Sequence, residues 1–132
     1  MPFVSVTRLR IRALRFLPAF FVQTMRTRSQ VAAAPGFLDG GLLPDRQWTF
    51  WTLTLWDSAE SMRSYITTGA HRIAMPKLME WCDEASVAHW DQGAAILPGW
   101  ADAEARMRSE GRPSKVRHPS PDHAAMTLRR RA

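Results

Sequence analysis

A chain of 132 residues with 45% apolar and 23% charged side chains has the balance of one globular domain with an ordinary core, which excludes a disordered or fibrous polymer. The net charge of +6 is uneven: residues 1–38 carry six arginines and no acid, residues 39–91 eight acids against four bases, and residues 92–132 eight bases against four acids. A single cysteine, Cys82, excludes an internal disulfide and a cysteine-built metal site, and it fits a reducing cytoplasm.

From Val4 to Leu14, "VSVTRLRIRAL" puts Leu9, Ile11 and Ala13 on one face and Arg8, Arg10 and Arg12 on the other. Period two with β-branched residues predicts a strand with one buried face. The period then changes. Leu17, Phe21 and Met25 recur at i, i+4 and i+8 beside Phe20, so a helix with those residues buried is expected from Arg15 to about Ala33. Pro18 is tolerable in its first turn, and Pro35-Gly36 ends it.

"GFLDGGLLPDR" reads as a second strand, bent or bulged at Gly40-Gly41. Trp48 to Trp56 is a third, joined to the second through a turn at Pro44-Asp45-Arg46. Asp57 or Ser58 then caps a helix with an apolar stripe of Met62, Tyr65 and Ile66, ended by Gly69. A further helical piece from Ala70 to Cys82 carries Ile73, Leu78 and Trp81, with a kink at Pro76. "ASVAHWDQ", Ala85 to Gln92, is the fourth strand.

The order is β-α-β-β-α-β, an α+β class: a ferredoxin-like split βαβ protomer with a four-stranded antiparallel sheet and helices on one face. The other face is then open, and a second copy of the chain is its expected cover. Residues 1–92 form this domain. Residues 93–132 form a C-terminal extension, with a short helix near Ala101 to Glu110, then a proline-rich basic tail ending in a triple arginine, expected to be flexible or draped over a partner.

Partners narrow by exclusion. The arginines are not interleaved with exposed aromatics and no nucleic-acid module is visible, so nucleic acid is not expected. "FLPAFFV", Phe16 to Val22, falls far short of the ~20 residues that cross a bilayer, so no membrane span is expected. An export signal is suggested only by the arginine-rich beginning and "VAAAP". Gln23, Arg26 and Arg28 interrupt any hydrophobic region, and a cytoplasmic chain is the expectation. No HExxH, paired CxxC, GxSxG or P-loop pattern occurs, against zinc hydrolysis, α/β-hydrolase chemistry and nucleotide hydrolysis.

"FWTLTLWDSAESMRSYITTGAHRIAM" is similar to the hallmark stretch of the antibiotic-biosynthesis-monooxygenase-like superfamily of dimeric α/β barrels. There a strand ends in tryptophan, an acidic capped helix begins, and a histidine follows; here these are Trp56, Asp57-Ser58-Ala59-Glu60 and His71. Within the superfamily, the "FWTLTLW" strand and the following helix with a histidine also resemble spheroidene monooxygenase-like proteins. The resemblance implies a homodimer, a cavity between sheet and helices, and small-molecule chemistry. Members include cofactor-free oxygenases of polycyclic phenols and haem-binding or haem-degrading proteins.

The resemblance makes His71 the candidate catalytic residue, as a base toward a phenol or, if haem is used, an axial ligand. Trp56, Phe50, Trp48, Tyr65 and His89 are the candidate substrate-binding residues. Trp48, Phe50 and Trp56 share one parity with Thr52 and Thr54, mixing rings with hydroxyls as a ligand wall does; Trp51, Leu53 and Leu55 form the better core face. The alternative is plain packing, with one face under helices and the other in the dimer barrel. Arg8, Arg10 and Arg12 are either part of a salt-bridge network or an anion site for a carboxylate-bearing ligand. The expected function is a cofactor-free monooxygenase-type enzyme acting on a flat apolar or aromatic molecule, with a non-catalytic ligand- or haem-binding barrel as the alternative.

Overall fold

The computed structural model describes residues 1–128. Five antiparallel strands stand in the order β2-β3-β1-β4-β5: β1 (Phe3–Ile11), β2 (Phe37–Asp45), β3 (Thr49–Trp56), β4 (Cys82–Asp91) and a two-residue β5 (Arg112–Pro113). Helices α1 (Leu17–Ala32), α2 (Ala59–Ile66) and α3 (Gly69–Trp81) connect them, and α4 (Trp100–Glu110) follows β4. The first four strands make the split βαβ sheet read from the sequence, and β5 adds a short fifth.

Register fixes which side chains share a face. Asp91, Phe3 and Trp56 lie abreast across β4, β1 and β3, followed by His89, Ser5 and Thr54, then Val87, Thr7 and Thr52, then Ala85, Leu9 and Phe50. These rows face α1–α3. Their neighbours Val4, Val6, Trp51, Leu53, Leu55 and Ala88 face the opposite side, where they are closed to solvent.

That opposite face is not open. Ala103 and Met107 of α4 are buried in the same cluster, with Leu97, Trp100, Met126 and Leu128 packed around it. The expected cover, a second copy, is replaced by the chain's own C-terminal residues. The tail is likewise tied down as far as it is described. Ser114 N–H donates to the Ala85 carbonyl at 2.8 Å, Arg117 N–H to Met79 at 3.0 Å and Ser120 N–H to Asp83 at 2.9 Å. The triple arginine lies outside the described residues.

The arginine face of β1 is an ion-pair network built within this fold. A register shift between Arg10 and Ile11 brings both Asp83 and Glu84 within reach. Arg8, only 2% exposed, pairs with Glu84 at 2.7 Å; Arg10 grips Asp83 through two hydrogen bonds of 2.8 and 2.9 Å and reaches Glu84 at 3.1 Å. Ser120 donates to the other Glu84 oxygen at 2.8 Å, and Arg12 pairs with Glu80 at 3.2 Å. Bidentate contacts to oriented carboxylates offset the desolvation of these guanidinium groups. This arrangement is the salt-bridge alternative, made within the chain with β4, α3 and the tail.

Helix α1 departs most from its sequence reading. Phe20 is buried, but Phe21 and Met25 are exposed. The sheet-facing stripe is Phe20, Gln23, Thr24, Thr27, Gln30 and Val31, at helical spacing and mostly polar. A helix set over threonines turns its polar stripe inward, so the larger apolar residues face out. The β2–β3 turn also differs. Pro44 and Asp45 belong to β2, the bulge lies between Phe37 and Asp39, and Arg46–Trp48 makes the turn.

Candidate functional site

The candidate site is the inner face of the sheet beneath α1–α3. Its floor is the central rows of the inner face: Ser5, Thr7, Thr52, Thr54, Val87 and His89, all only partly buried although they sit mid-sheet. Central sheet positions keep access to solvent only where the covering layer stands off. Gln23, Thr24 and Thr27 of α1 belong to that layer. Thr24 and Thr27 donate to carbonyls of their own helix, at 2.9 Å to Phe20 and 3.0 Å to Gln23.

Two aromatic groups close the ends. At one, Phe50 lies 4.9 Å from Phe20, ring to ring, within a cluster that includes Ile11, Leu17, Leu78 and Trp81. At the other, a chain of rings runs from Phe37 to Trp56 (5.5 Å), to Tyr65 (5.2 Å) and on to His71 (5.0 Å, edge to face). Trp56 is fully buried; its Nε1 donates to Thr54 Oγ1 at 3.0 Å, and Thr54 Oγ1 donates toward the Ser5 carbonyl at 3.4 Å. The buried indole thereby orients the floor hydroxyl beside it.

Local sequence explains how Tyr65 and His71 are held. Ser58 caps α2, accepting from Ser61 N–H at 3.2 Å. Gln30 locks the α2–α3 junction: its amide nitrogen donates to the carbonyls of Thr68 (2.9 Å) and Tyr65 (3.3 Å), while its oxygen accepts from His71 N–H at 2.8 Å. Gly69 sits at φ +59°, and a Cβ there would come within 3.0–3.2 Å of the Gln30 amide. Only glycine combines that backbone with so close a neighbour.

His71 lies on the inward stripe of α3 with Ala74 and Leu78. Its Nδ1 is shut off from solvent and has no hydrogen-bond partner. Burial pulls its pKa below the ordinary 6.5, with the Ile66 backbone opposing, so the imidazole is held neutral. Burial pushes Tyr65 up to about 12; its hydroxyl donates to the Thr27 carbonyl at 3.3 Å. His89 packs 5.5 Å from Phe3 and is lowered by burial, then by Arg112 and Arg63. Cys82, buried and raised to about 12, is not a reactive thiol.

Of the residues expected from the sequence, Trp56, Tyr65 and His71 come together, His89 joins the floor in the row beside Val87, and Phe50 closes the opposite end. Trp48 does not join them. It lies in the β2–β3 turn outside the strand, 50% exposed, with Gln47 and Trp48 both at φ +57°. The turn ends the strand's alternation before Trp48, so strand parity does not apply to it. Sequence reading missed Gln23, Thr27 and Gln30; polar residues recurring at helical spacing from Gln23 to Gln30 were the available signal. An axial haem ligand needs an imidazole nitrogen facing a flat open slot. His71 has Nδ1 closed off, so that nitrogen cannot serve; its ring edge lies against Tyr65, and His89 lies against Phe3. Among the described residues no group of three His, Cys, Asp or Glu is placed to hold a metal ion, and no helix is long and apolar enough to cross a membrane.

The split βαβ sheet with helices on one face is shared with solved structures named as antibiotic biosynthesis monooxygenases. Similar solved structures include SnoaB, a cofactor-independent oxygenase from Streptomyces nogalater (19% identity, TM-score 0.58, 74% of this chain and 98% of that one). An antibiotic biosynthesis monooxygenase (12%, 0.62, 70% and 99%) and a conserved protein from Methanosarcina mazei Go1 (14%, 0.63, 70% and 94%) share the same architecture. Residues 16–130 match the family described as a domain of unknown function, DUF3291, and the chain belongs to that family. No curated protein matches the sequence.

Proposed function

We propose that the chain is a small-molecule oxidoreductase of the monooxygenase type, acting on a flat, electron-rich aromatic compound held between the threonine floor and α1. The observation that carries this reading is His71: an imidazole held neutral by burial, at the end of the Trp56–Tyr65–His71 ring series. A phenolic O–H or acidic C–H brought against the imidazole would meet a neutral proton acceptor. Proton transfer to His71 leaves the electron pair on the substrate as a phenolate or carbanion. Dioxygen is the oxidant: one electron passes from the anion to it, and the substrate radical and superoxide then combine. Tyr65, with its proton held tightly, serves as wall and not as acid. Ser5, Thr7, Thr52 and Thr54 offer hydroxyls to the substrate's oxygens, and His89 adds a second neutral imidazole. The name of SnoaB, a cofactor-independent oxygenase, supports a reaction run without a prosthetic group.

Oxygen uptake with a panel of polycyclic phenols tests the proposal. Wild-type protein consumes oxygen with at least one member, and His71→Ala lowers kcat by about a hundredfold or more. Undiminished turnover in that variant removes His71 from the chemistry. A Soret band in the purified protein, lost in His71→Ala, would replace this reading with haem binding. Self-association belongs to the same reading, and the exposed β2 edge with Leu38 and Leu42 is the surface for it, because α4 already fills the outer face. Sedimentation equilibrium reads the state directly.

A further inference from the structure

The inverted amphipathy of α1 leaves a surface that the site does not use. Phe21 (65% exposed), Val22 (48%) and Met25 (47%) follow one another at helical spacing on its outward side, continuing from the exposed Pro18. Helix α3 packs along α1 in the same layer and adds Ile73, 60% exposed. Soluble surfaces carry isolated apolar side chains routinely; three large ones in a row on one helix, with a fourth on its neighbour, form a patch.

The charges around this patch all have one sign. Arg15, Arg26 and Arg28 on the α1 segment and Arg72 and Lys77 on α3 are exposed. Residues 12–38 contain no acid, and neither do residues 69–79. The acids of this layer stand at its margins. Glu60 is on α2, and Glu80, at the end of α3, is engaged by Arg12, Arg117 and His118. Five exposed cations therefore frame the exposed apolar side chains.

We propose that the α1–α3 face is a docking surface for an anionic lipid bilayer, with Phe21, Val22 and Met25 entering the acyl boundary and the arginines lying among the headgroups. A helix lying in the interface plane needs an apolar face flanked by cations, and that is the arrangement found. Each arginine near an anionic surface strengthens binding by about fivefold, falling as salt screens it. An acidic protein groove would complement the charge equally well. The bilayer is favoured because the apolar residues stand exposed in sequence along one helix with cations on either side, as insertion into lipid requires.

The test is co-sedimentation with vesicles of phosphatidylcholine, with and without phosphatidylglycerol. Wild-type protein sediments with the anionic vesicles and weakly with the neutral ones. Phe21→Ser/Met25→Ser, which keeps every charge, loses about tenfold or more. Arg26→Gln/Arg28→Gln loses about 25-fold at low salt, with a flatter salt dependence. All four residues are exposed, so circular dichroism of both variants should match wild type. The proposal is overturned if wild-type protein ignores anionic vesicles, or if the serine variant binds as tightly as wild type, which would mean electrostatic adhesion alone. It is overturned equally if wild-type protein self-associates and the serine variant does not while vesicles bind neither, since the patch would then belong to a second copy.

Discussion

Beneath α4, Val4, Val6, Trp51, Leu53 and Leu55 are closed to solvent, whereas beneath α1–α3 their immediate neighbours Ser5, Thr7, Thr52 and Thr54 stay only partly buried. The two sets alternate along the same strands, so the difference comes from what covers each side. Helix α4 brings Ala103 and Met107, small and flexible, down onto the apolar face, and the tail seals it. Helix α1 brings glutamine and threonines to a threonine floor, and two such surfaces have no reason to exclude water. One side of the sheet supplies stability; the other keeps a space in which polar groups are held ready.

This contrast breaks if truncation costs the same on both sides. Trp51→Ala should destabilise by about 3–5 kcal/mol, because it empties a closed site and removes the Nε1 hydrogen bond to Asp45. Urea unfolding of Trp51→Ala beside Phe50→Ala, one residue away and half-buried, should show the smaller loss for Phe50. Glu84→Gln should cost about 3 kcal/mol, since it strands Arg8 without its carboxylate; replacing both partners by Arg8→Met/Glu84→Leu should recover much of that loss.

The inner face should reveal itself through pH. His71 and His89 have folded-state pKa values below the ordinary 6.5, so above that value neither state of the chain gains a proton the other lacks. As pH falls below about 6.5 the unfolded chain takes up protons that the folded chain refuses, and stability declines until the folded-state values are reached. The urea midpoint should drop on acidification, and His71→Gln should flatten part of that drop. The smallest effect on stability belongs to Thr52→Val, within about 1 kcal/mol. Its consequence should appear instead as weaker ligand binding, read by the thermal shift that a bound aromatic compound produces in wild-type protein.

Strand alternation was legible because period two is a local property, and β1, β3 and β4 were found within a few residues of their observed bounds. The capping serine of α2 was legible for the same reason: Ser58 bonds a backbone group three residues on. The ring series Trp56–Tyr65–His71 was partly legible through the family-like stretch that contains all three residues. The amphipathy of α1 misled because large apolar side chains define a buried stripe only when the opposing surface is apolar too. The Trp48 position misled because a turn with two residues at positive φ interrupts the strand one residue before its regular pairing begins.

The sequence alone determined the strand periods, the order of elements and hence the split βαβ sheet, because these follow from side-chain alternation and short connections. The sequence also marked Trp51, Leu53 and Leu55 as the core face of β3, and only the tertiary structure decided what covers each face of the sheet. That choice depends on what each helix presents to the sheet, and the answer came from α4 and the tail, far along the chain from the strands they cover.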